Sequence, residues 1–146
     1  LLQTSYPSWL YPVLQGATTM WERWNSYTIE GGFGNAGMNS FNHYAYGAVG
    51  EWMYSTLGGI AIDERSPGYR NIIMRPYPGE GFTSARASLL TRYGRTSCGW
   101  RVADGGVLVV EIVVPANATA TLFMPGSRRQ KELSGGTYHF ETKNWA

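Results

Sequence analysis

The first part of the chain carries a helical pattern of apolar residues. Five apolar side chains recur at spacings typical of one helix face: Val13, Ala17, Met20, Trp21 and Trp24. The opposite face is polar and consists of Gln15, Thr18, Thr19 and Glu22. The pattern predicts a helix from about Tyr11 to Trp24, with Pro12 in the first turn, where its missing N–H costs nothing.

A second helix is predicted after a loop that is rich in glycine. The loop covers residues 31–37, four of which are Gly. The helix runs from about Asn42 to Leu57, with Ser40 as its N-cap and Gly58 as its stop. One stripe of this helix, which includes Gly47 and Gly50, lacks side chains in its middle. Such a stripe either lets another helix approach closely or leaves space for a ligand.

Beyond Pro67 the pattern changes to short, alternating or wholly apolar runs that end at turn residues. Val107–Val114 is apolar on both faces except at Glu111, which is typical of a strand covered on both sides. The predicted strands are Asn71–Arg75, Phe82–Leu90, Thr96–Ala103, Val107–Val114, Thr119–Met124 and Thr137–Glu141. Their number and spacing predict an antiparallel β-sandwich, so the whole chain is expected to be α+β.

Charge is distributed unevenly between these two regions. Charged residues make up 15% of the 146 residues, against about 25% in ordinary domains. Residues 1–62 carry four of them: Glu22, Arg23, Glu30 and Glu51. A surface with so few charges is not well solvated. We therefore expect two domains, 1–62 and 63–146, with the first belonging to the interior of something larger, and the chain to be a piece of a longer enzyme.

Several function classes are disfavoured by composition. The net charge of +2 is too small and too scattered for nucleic-acid binding. No apolar run approaches the roughly 20 residues that span a membrane. Cys98 is the single cysteine, and no cluster of His, Cys, Asp or Glu has the spacing of metal ligands, so neither a metal nor a cofactor is predicted. The cellular compartment stays open.

Two residues stand out as candidates for chemistry. Glu22 lies on the polar face of an otherwise apolar segment, where a carboxylate has to be either a surface residue or a general base beside a pocket. His43 precedes or begins the second helix and is either a satisfied structural histidine or a donor to substrate hydroxyls. The tryptophans and tyrosines near them fit core packing better than sugar stacking.

Three segments together resemble one enzyme family. Tyr6–Pro12, Gly16–Trp24 and Ser40–Trp52 are similar to the C-terminal third of bacterial and fungal α-L-rhamnosidases, glycoside hydrolase family 78. Softer matches in Pro67–Tyr69 and Ala85–Ala87 resemble the start of that family's C-terminal β domain. The resemblance covers nearly the whole chain.

The resemblance implies a helix pair from the end of an (α/α)6 barrel, followed by an antiparallel β-sandwich. It implies inverting hydrolysis of terminal α-L-rhamnose from glycosides or polysaccharides, with Glu22 as general base and His43 as a contact to rhamnose. The family's general acid lies upstream of the matched segments. We therefore expect the chain alone to be inactive, to need the missing N-terminal part of the enzyme as its partner, and to self-associate through exposed apolar surface. The alternative is a non-catalytic carbohydrate-binding or structural β-sandwich module.

Overall fold

A computed structural model describes residues 1–145. The chain forms two compact units, Leu1–Gly50 and the segment that begins at Glu51. The first unit is largely irregular and the second is a β-sandwich, so the predicted α+β class is confirmed. Within residues 1–145, no helix has both the length and the apolar character that a membrane span requires.

The first predicted helix is much shorter than its pattern suggested. Helix α1 covers Leu10–Leu14 only. Gly16 adopts a φ of +82°, and the N–H groups of Gly16 and Ala17 donate to the carbonyls of Val13 and Pro12, both at 3.0 Å. This is a Schellman motif, which ends helices at a left-handed glycine. The prediction that this helix extends to Trp24 is wrong for that reason, and the first member of the predicted helix pair is only five residues long.

A small hairpin occupies the region that was predicted to be one loop. Strands β1 (Tyr27–Thr28) and β2 (Gly32–Phe33) pair antiparallel, and a single 3₁₀ turn follows at Ala36–Met38. The carboxamide oxygen of Asn35 caps that turn by accepting from the N–H of Gly37 at 2.8 Å. The loop prediction is therefore wrong at β2.

The second helical segment begins later than predicted. It consists of a 3₁₀ turn at Ala45–Ala48, helix α2 at Val49–Trp52 and a π-helical turn at Met53–Leu57. Its N-cap is Tyr44, so the prediction of Ser40 as N-cap is wrong. The predicted stop is confirmed, because the N–H of Gly58 donates to the carbonyl of Met53 at 2.8 Å.

The second unit contains two four-stranded sheets. One sheet has the order β3–β4–β8–β9 and the other has the order β10–β7–β6–β5. The strands are β3 (Ile60–Ile62), β4 (Asn71–Met74), β5 (Ser84–Thr91), β6 (Gly94–Ala103), β7 (Val107–Val114), β8 (Thr119–Phe123), β9 (Gln130–Leu133) and β10 (Gly136–Thr142). The predicted sandwich is confirmed, and β3 and β9 are additional to the predicted strands.

One strand pair departs from the predicted antiparallel arrangement. Strands β4 and β8 are parallel, with Ile72 opposite Ala120 and Met74 opposite Leu122, whereas every other pair in the described sandwich is antiparallel. A parallel pair requires a long crossover. Here strands β5, β6 and β7 of the other sheet supply it.

Alternating residues of the two sheets fill the core of the sandwich. The side chains of Ile72, Met74, Leu108, Ile112 and Leu122 are fully buried. Burying such a side chain stabilises the folded state by about 1.5–3 kcal/mol relative to exposing it. Trp100 is also buried, and its indole N–H donates to the carbonyl of Leu57 at 2.7 Å. The core therefore fixes the end of the helical segment to strand β6.

Candidate active site

Two irregular segments of the first unit lie side by side and carry the two candidate residues. The N–H of Glu22 donates to the carbonyl of Ser40 at 2.9 Å, and the N–H of His43 donates to the carbonyl of Met20 at 2.8 Å. The hydroxyl of Thr19 donates to the carbonyl of Phe41. These main-chain hydrogen bonds hold segment 19–23 beside segment 39–43, so Glu22 and His43 lie on neighbouring segments of the chain.

The Glu22 carboxylate is held by a main-chain donor. Its Oε2 accepts from the N–H of Ser40 at 2.6 Å, and the side chain is partly exposed. Hydrogen bonds to an ionised acceptor are shorter and stronger than neutral ones. Among residues 1–145, no second donor engages this carboxylate, so Oε1 is left to accept a proton from a water molecule or a hydroxyl group.

The His43 ring is oriented from its own segment. Its Nδ1 accepts from the N–H of Ala45 at 3.2 Å, and the ring stacks on Tyr44 with centroids 5.3 Å apart. A neutral imidazole that accepts at Nδ1 carries its proton at Nε2. His43 can therefore donate one hydrogen bond from Nε2 to a hydroxyl oxygen.

Aromatic rings pack on both sides of these segments. Trp24 stacks on Tyr46 with centroids 3.8 Å apart, and Trp9 meets Trp24 edge to face at 4.9 Å. Trp21 is buried and meets Phe41 edge to face at 5.3 Å. Such pairs add about 0.5–1.5 kcal/mol beyond the burial of area. The rings therefore stiffen the irregular chain that carries Glu22.

An apolar groove of about 290 Å³ lies next to Glu22. Its walls include Trp9, Trp24 and Tyr46, together with Met20 and Arg23, but neither Glu22 nor His43. Several residues between Gly16 and Trp24 therefore line the groove, whereas Glu22 and His43 lie outside it.

The helical pattern that singled out Glu22 is not the local structure that holds it. Glu22 does not share a helix face with Thr18 and Thr19, because the helix has ended before them. Ser40, which fixes Glu22, acts through its main chain, and a main-chain donor leaves no signal in residue type. Added methyl groups at Gly47 and Gly50 would meet nothing within 4 Å, so that stripe borders open space.

The chemistry available elsewhere in the described chain is limited. Within residues 1–145, no group of three or more His, Cys, Asp or Glu side chains has the geometry to hold a metal ion. Cys98 is fully buried, and burial raises the pKa of its thiol to about 12. A thiol with so high a pKa is not a nucleophile at neutral pH.

A polar network ties the start of the sandwich together. The buried Asp63 carboxylate accepts two hydrogen bonds from the Arg65 guanidinium, at 3.1 and 3.2 Å, and one from Asn71 at 2.9 Å. Asn71 also donates to the hydroxyl of Thr121 at 3.2 Å. The bonds from Arg65, then those from Asn71, lower the pKa of Asp63 to about 2. The network is structural, because it joins β4 to β8.

Comparison with known families accounts for both units. Residues 1–57 match the family model described as bacterial α-L-rhamnosidase 6 hairpin glycosidase domain. Residues 59–139 match the bacterial α-L-rhamnosidase C-terminal domain. The chain belongs to the bacterial α-L-rhamnosidase family. Glu22 and His43 thus both lie in the part of this rhamnosidase-family chain that matches the glycosidase domain.

Individual relatives agree with this assignment. An α-L-rhamnosidase of Streptomyces avermitilis is 50% identical over 139 residues, which cover 94% of this chain and 13% of that protein. One from Formosa agariphila is 49% identical over 125 residues, which cover 86% of this chain and 13% of that protein. The chain therefore spans about one seventh of the length of the curated relatives it matches.

Solved structures show the same fold. The Streptomyces avermitilis α-L-rhamnosidase complexed with L-rhamnose matches 98% of this chain at a TM-score of 0.85 and 42% identity, over 15% of its own length. The native α-L-rhamnosidase from Aspergillus terreus matches the whole chain at a TM-score of 0.89 and 35% identity, over 17% of its length.

Proposed function

We propose that this chain is the C-terminal part of an inverting α-L-rhamnosidase and supplies its general base, Glu22. The observation that carries the proposal is the pairing of segments 19–23 and 39–43. This pairing fixes one carboxylate oxygen of Glu22 on Ser40 and leaves the other oxygen available. A general base needs this combination of a fixed position and an unoccupied acceptor. The membership of the family supports the substrate class.

In the proposed reaction, Glu22 takes a proton from water as the water oxygen attacks the anomeric carbon. The attack comes from the ring face opposite the leaving group, so the configuration inverts. A second carboxyl group protonates the departing glycosidic oxygen, at about 6.5–9.5 Å from the base. In residues 1–50 the other carboxylate is Glu30, which is exposed in the β1–β2 turn. We therefore assign the general acid to another part of the longer enzyme.

His43 holds the sugar in this proposal. Its Nε2–H donates to a rhamnose hydroxyl, while Nδ1 stays bonded to the N–H of Ala45. Because Tyr44 stacks on the ring, the donor direction is restricted before the substrate arrives. Restricting the ring in advance lowers the entropy that binding would otherwise cost.

The proposal is tested with Glu22→Gln in the longer enzyme that carries this chain. The amide keeps the size of the side chain but cannot take a proton, so kcat should fall by about 10²- to 10⁴-fold, as expected when a general base is lost. The matched control is Glu30→Gln in the exposed turn, which should leave kcat unchanged. Turnover of an aryl α-L-rhamnoside is the measurement. Unchanged turnover in Glu22→Gln refutes the role of Glu22.

A further inference from the structure

The β-sandwich carries a groove larger than the one beside Glu22. It has a volume of about 750 Å³, within the usual range of about 300–1,000 Å³ for sites that hold small ligands. Aromatic side chains line it at four positions: Tyr77, Phe82, Phe123 and Trp145. Two charged side chains, Arg75 and Glu80, stand among them. All of these residues belong to the second unit.

The walls of this groove are held in place by the fold. The indole N–H of Trp145 donates to the carbonyl of Gly106 at 2.8 Å, which fixes the ring. The main chain of Gly126 packs so closely on Asn144 that an added Cβ would lie 1.6 Å from its carbonyl oxygen. The Arg75 guanidinium lies over the Phe123 ring, 4.1 Å from its centroid. A groove with fixed walls binds without a large ordering cost.

A second groove adjoins the first. It has a volume of about 500 Å³ and shares Arg75, Tyr77 and Phe123 with the larger one. Ala61 of strand β3 and Ile73 of strand β4 also line it. Because the two grooves share a wall, a ligand of two or more linked rings can occupy both.

We propose that these grooves form a glycan-binding site on the β-sandwich, with Tyr77 and Trp145 as stacking platforms. The apolar C–H face of a pyranose packs on aromatic faces, and its hydroxyls pair with a guanidinium and a carboxylate, here Arg75 and Glu80. Within residues 1–145, no ion pair or side-chain hydrogen bond occupies either group, so both are available to hydroxyls. The choice of rhamnose-containing glycans as ligand rests on the proposed function.

The test is an NMR titration of the 146-residue chain labelled with ¹⁵N-tryptophan, and it follows the indole N–H signal of Trp145. This signal is assigned by its absence from the spectrum of the Trp145→Phe variant. Titration with methyl α-L-rhamnoside should move this signal in a saturable way, with a Kd on the order of 1 mM for a single ring. A rhamnose disaccharide should bind at least several-fold more tightly, because it reaches the second groove. No saturable shift with either sugar overturns the proposal.

Two variants locate the binding. Tyr77→Ala should weaken it at least tenfold, whereas Tyr54→Ala, a similarly exposed tyrosine outside both grooves, should not change it. Equal effects of Tyr77→Ala and Tyr54→Ala on the Kd would also contradict binding in these grooves. In the double variant Glu22→Gln with His43→Ala, the Trp145 signal should shift with the same Kd as in the original chain, because neither residue lines these grooves. Loss of the Trp145 shift in that variant would contradict the groove while leaving the role of Glu22 untouched.

Discussion

Glu22 and His43 reach their positions through main-chain bonds rather than through side-chain partners. Ser40 donates its N–H to Glu22, and Ala45 donates its N–H to His43. Side chains at positions 40 and 45 can therefore change without removing either donor. The placement of this pair depends on the path of the chain, which the aromatic contact between Trp21 and Phe41 supports.

At this scale we predict that His43→Ala impairs sugar binding more than the chemical step. Loss of one hydrogen bond from a neutral donor costs about 0.5–1.5 kcal/mol, so KM for an aryl α-L-rhamnoside should rise roughly two- to tenfold. The change in kcat should be smaller. Steady-state kinetics of the longer enzyme give both constants. The control is His139→Ala, at an exposed position of strand β10. An equal rise in KM for this control variant would contradict a specific role for His43.

At the scale of elements, the Asp63 network connects strands through polar side chains, whereas the core connects them through apolar packing. Arg65 and Asn71 converge on one buried carboxylate, and Asn71 extends the network to Thr121 on β8. The parallel pair β4 and β8 thus has a side-chain link in addition to its main-chain ladder. The charge of Asp63 is part of that link, so its strength depends on pH.

We predict that the sandwich loses stability in acid through Asp63. The folded carboxyl has a pKa of about 2, below the ordinary value of 3.8. A carboxyl group whose pKa is lowered by folding stabilises the folded state fully at pH values above its ordinary pKa. This contribution disappears as the pH falls through the pKa of the folded state. The free energy of unfolding, measured in urea, should therefore decrease from about pH 4 towards pH 2.

The variant Asp63→Asn should show a smaller decrease over that range and a lower stability at neutral pH. Asp104→Asn, in the exposed turn at Asp104–Gly106, is the matched control and should follow the original chain. If both variants keep the full acid-dependent loss, Asp63 does not carry it.

Much of the sandwich could be predicted from the sequence because its longer strands end at turn residues. Val107–Val114 has the predicted bounds. Strand β9, with the residues QKEL, escaped prediction because three of its four residues are polar and exposed. In the first unit, Gly16 was the signal that ends α1, and the apolar periodicity beyond it obscured that signal.

At the scale of the whole chain, its length is a small part of that of its relatives. The chain covers 13% of the Streptomyces avermitilis protein and 16% of the Alteromonas α-L-rhamnosidase that it matches at 35% identity. The predicted boundary between residues 62 and 63 stays a prediction. The compact units divide after Gly50, and the two family models meet between residues 57 and 59.

We predict that the 146-residue chain alone does not hydrolyse an aryl α-L-rhamnoside above the uncatalysed rate. The reason is the single proposed catalytic carboxylate, since the leaving group has no acid to protonate it. Release of the aryl group, followed by absorbance, is the measurement. Robust turnover by the purified chain would show that the acid lies within it.

We also predict that the chain self-associates. Of the fifteen large exposed apolar side chains in residues 1–145, nine lie in the first fifty residues, among them Val13, Ile29 and Phe33. Surface of this kind marks a contact site. Sedimentation velocity should show concentration-dependent species, and the double variant Val13→Ser with Ile29→Ser should raise the dissociation constant roughly tenfold or more. Leu90→Ser, at an equally exposed position on β5, should not, and a monomer at all concentrations would contradict the prediction.

The parallel pairing of β4 with β8 also governs how the sandwich comes into being. Asn71 and Thr119, which meet across this pair, are 48 residues apart in the chain. Closing so long a loop costs entropy before any contact in it repays the cost. Strands β5, β6 and β7 of the other sheet lie inside this loop, and pairing among them shortens it. We therefore expect the parallel pair to form late in folding, after the hairpins within the loop.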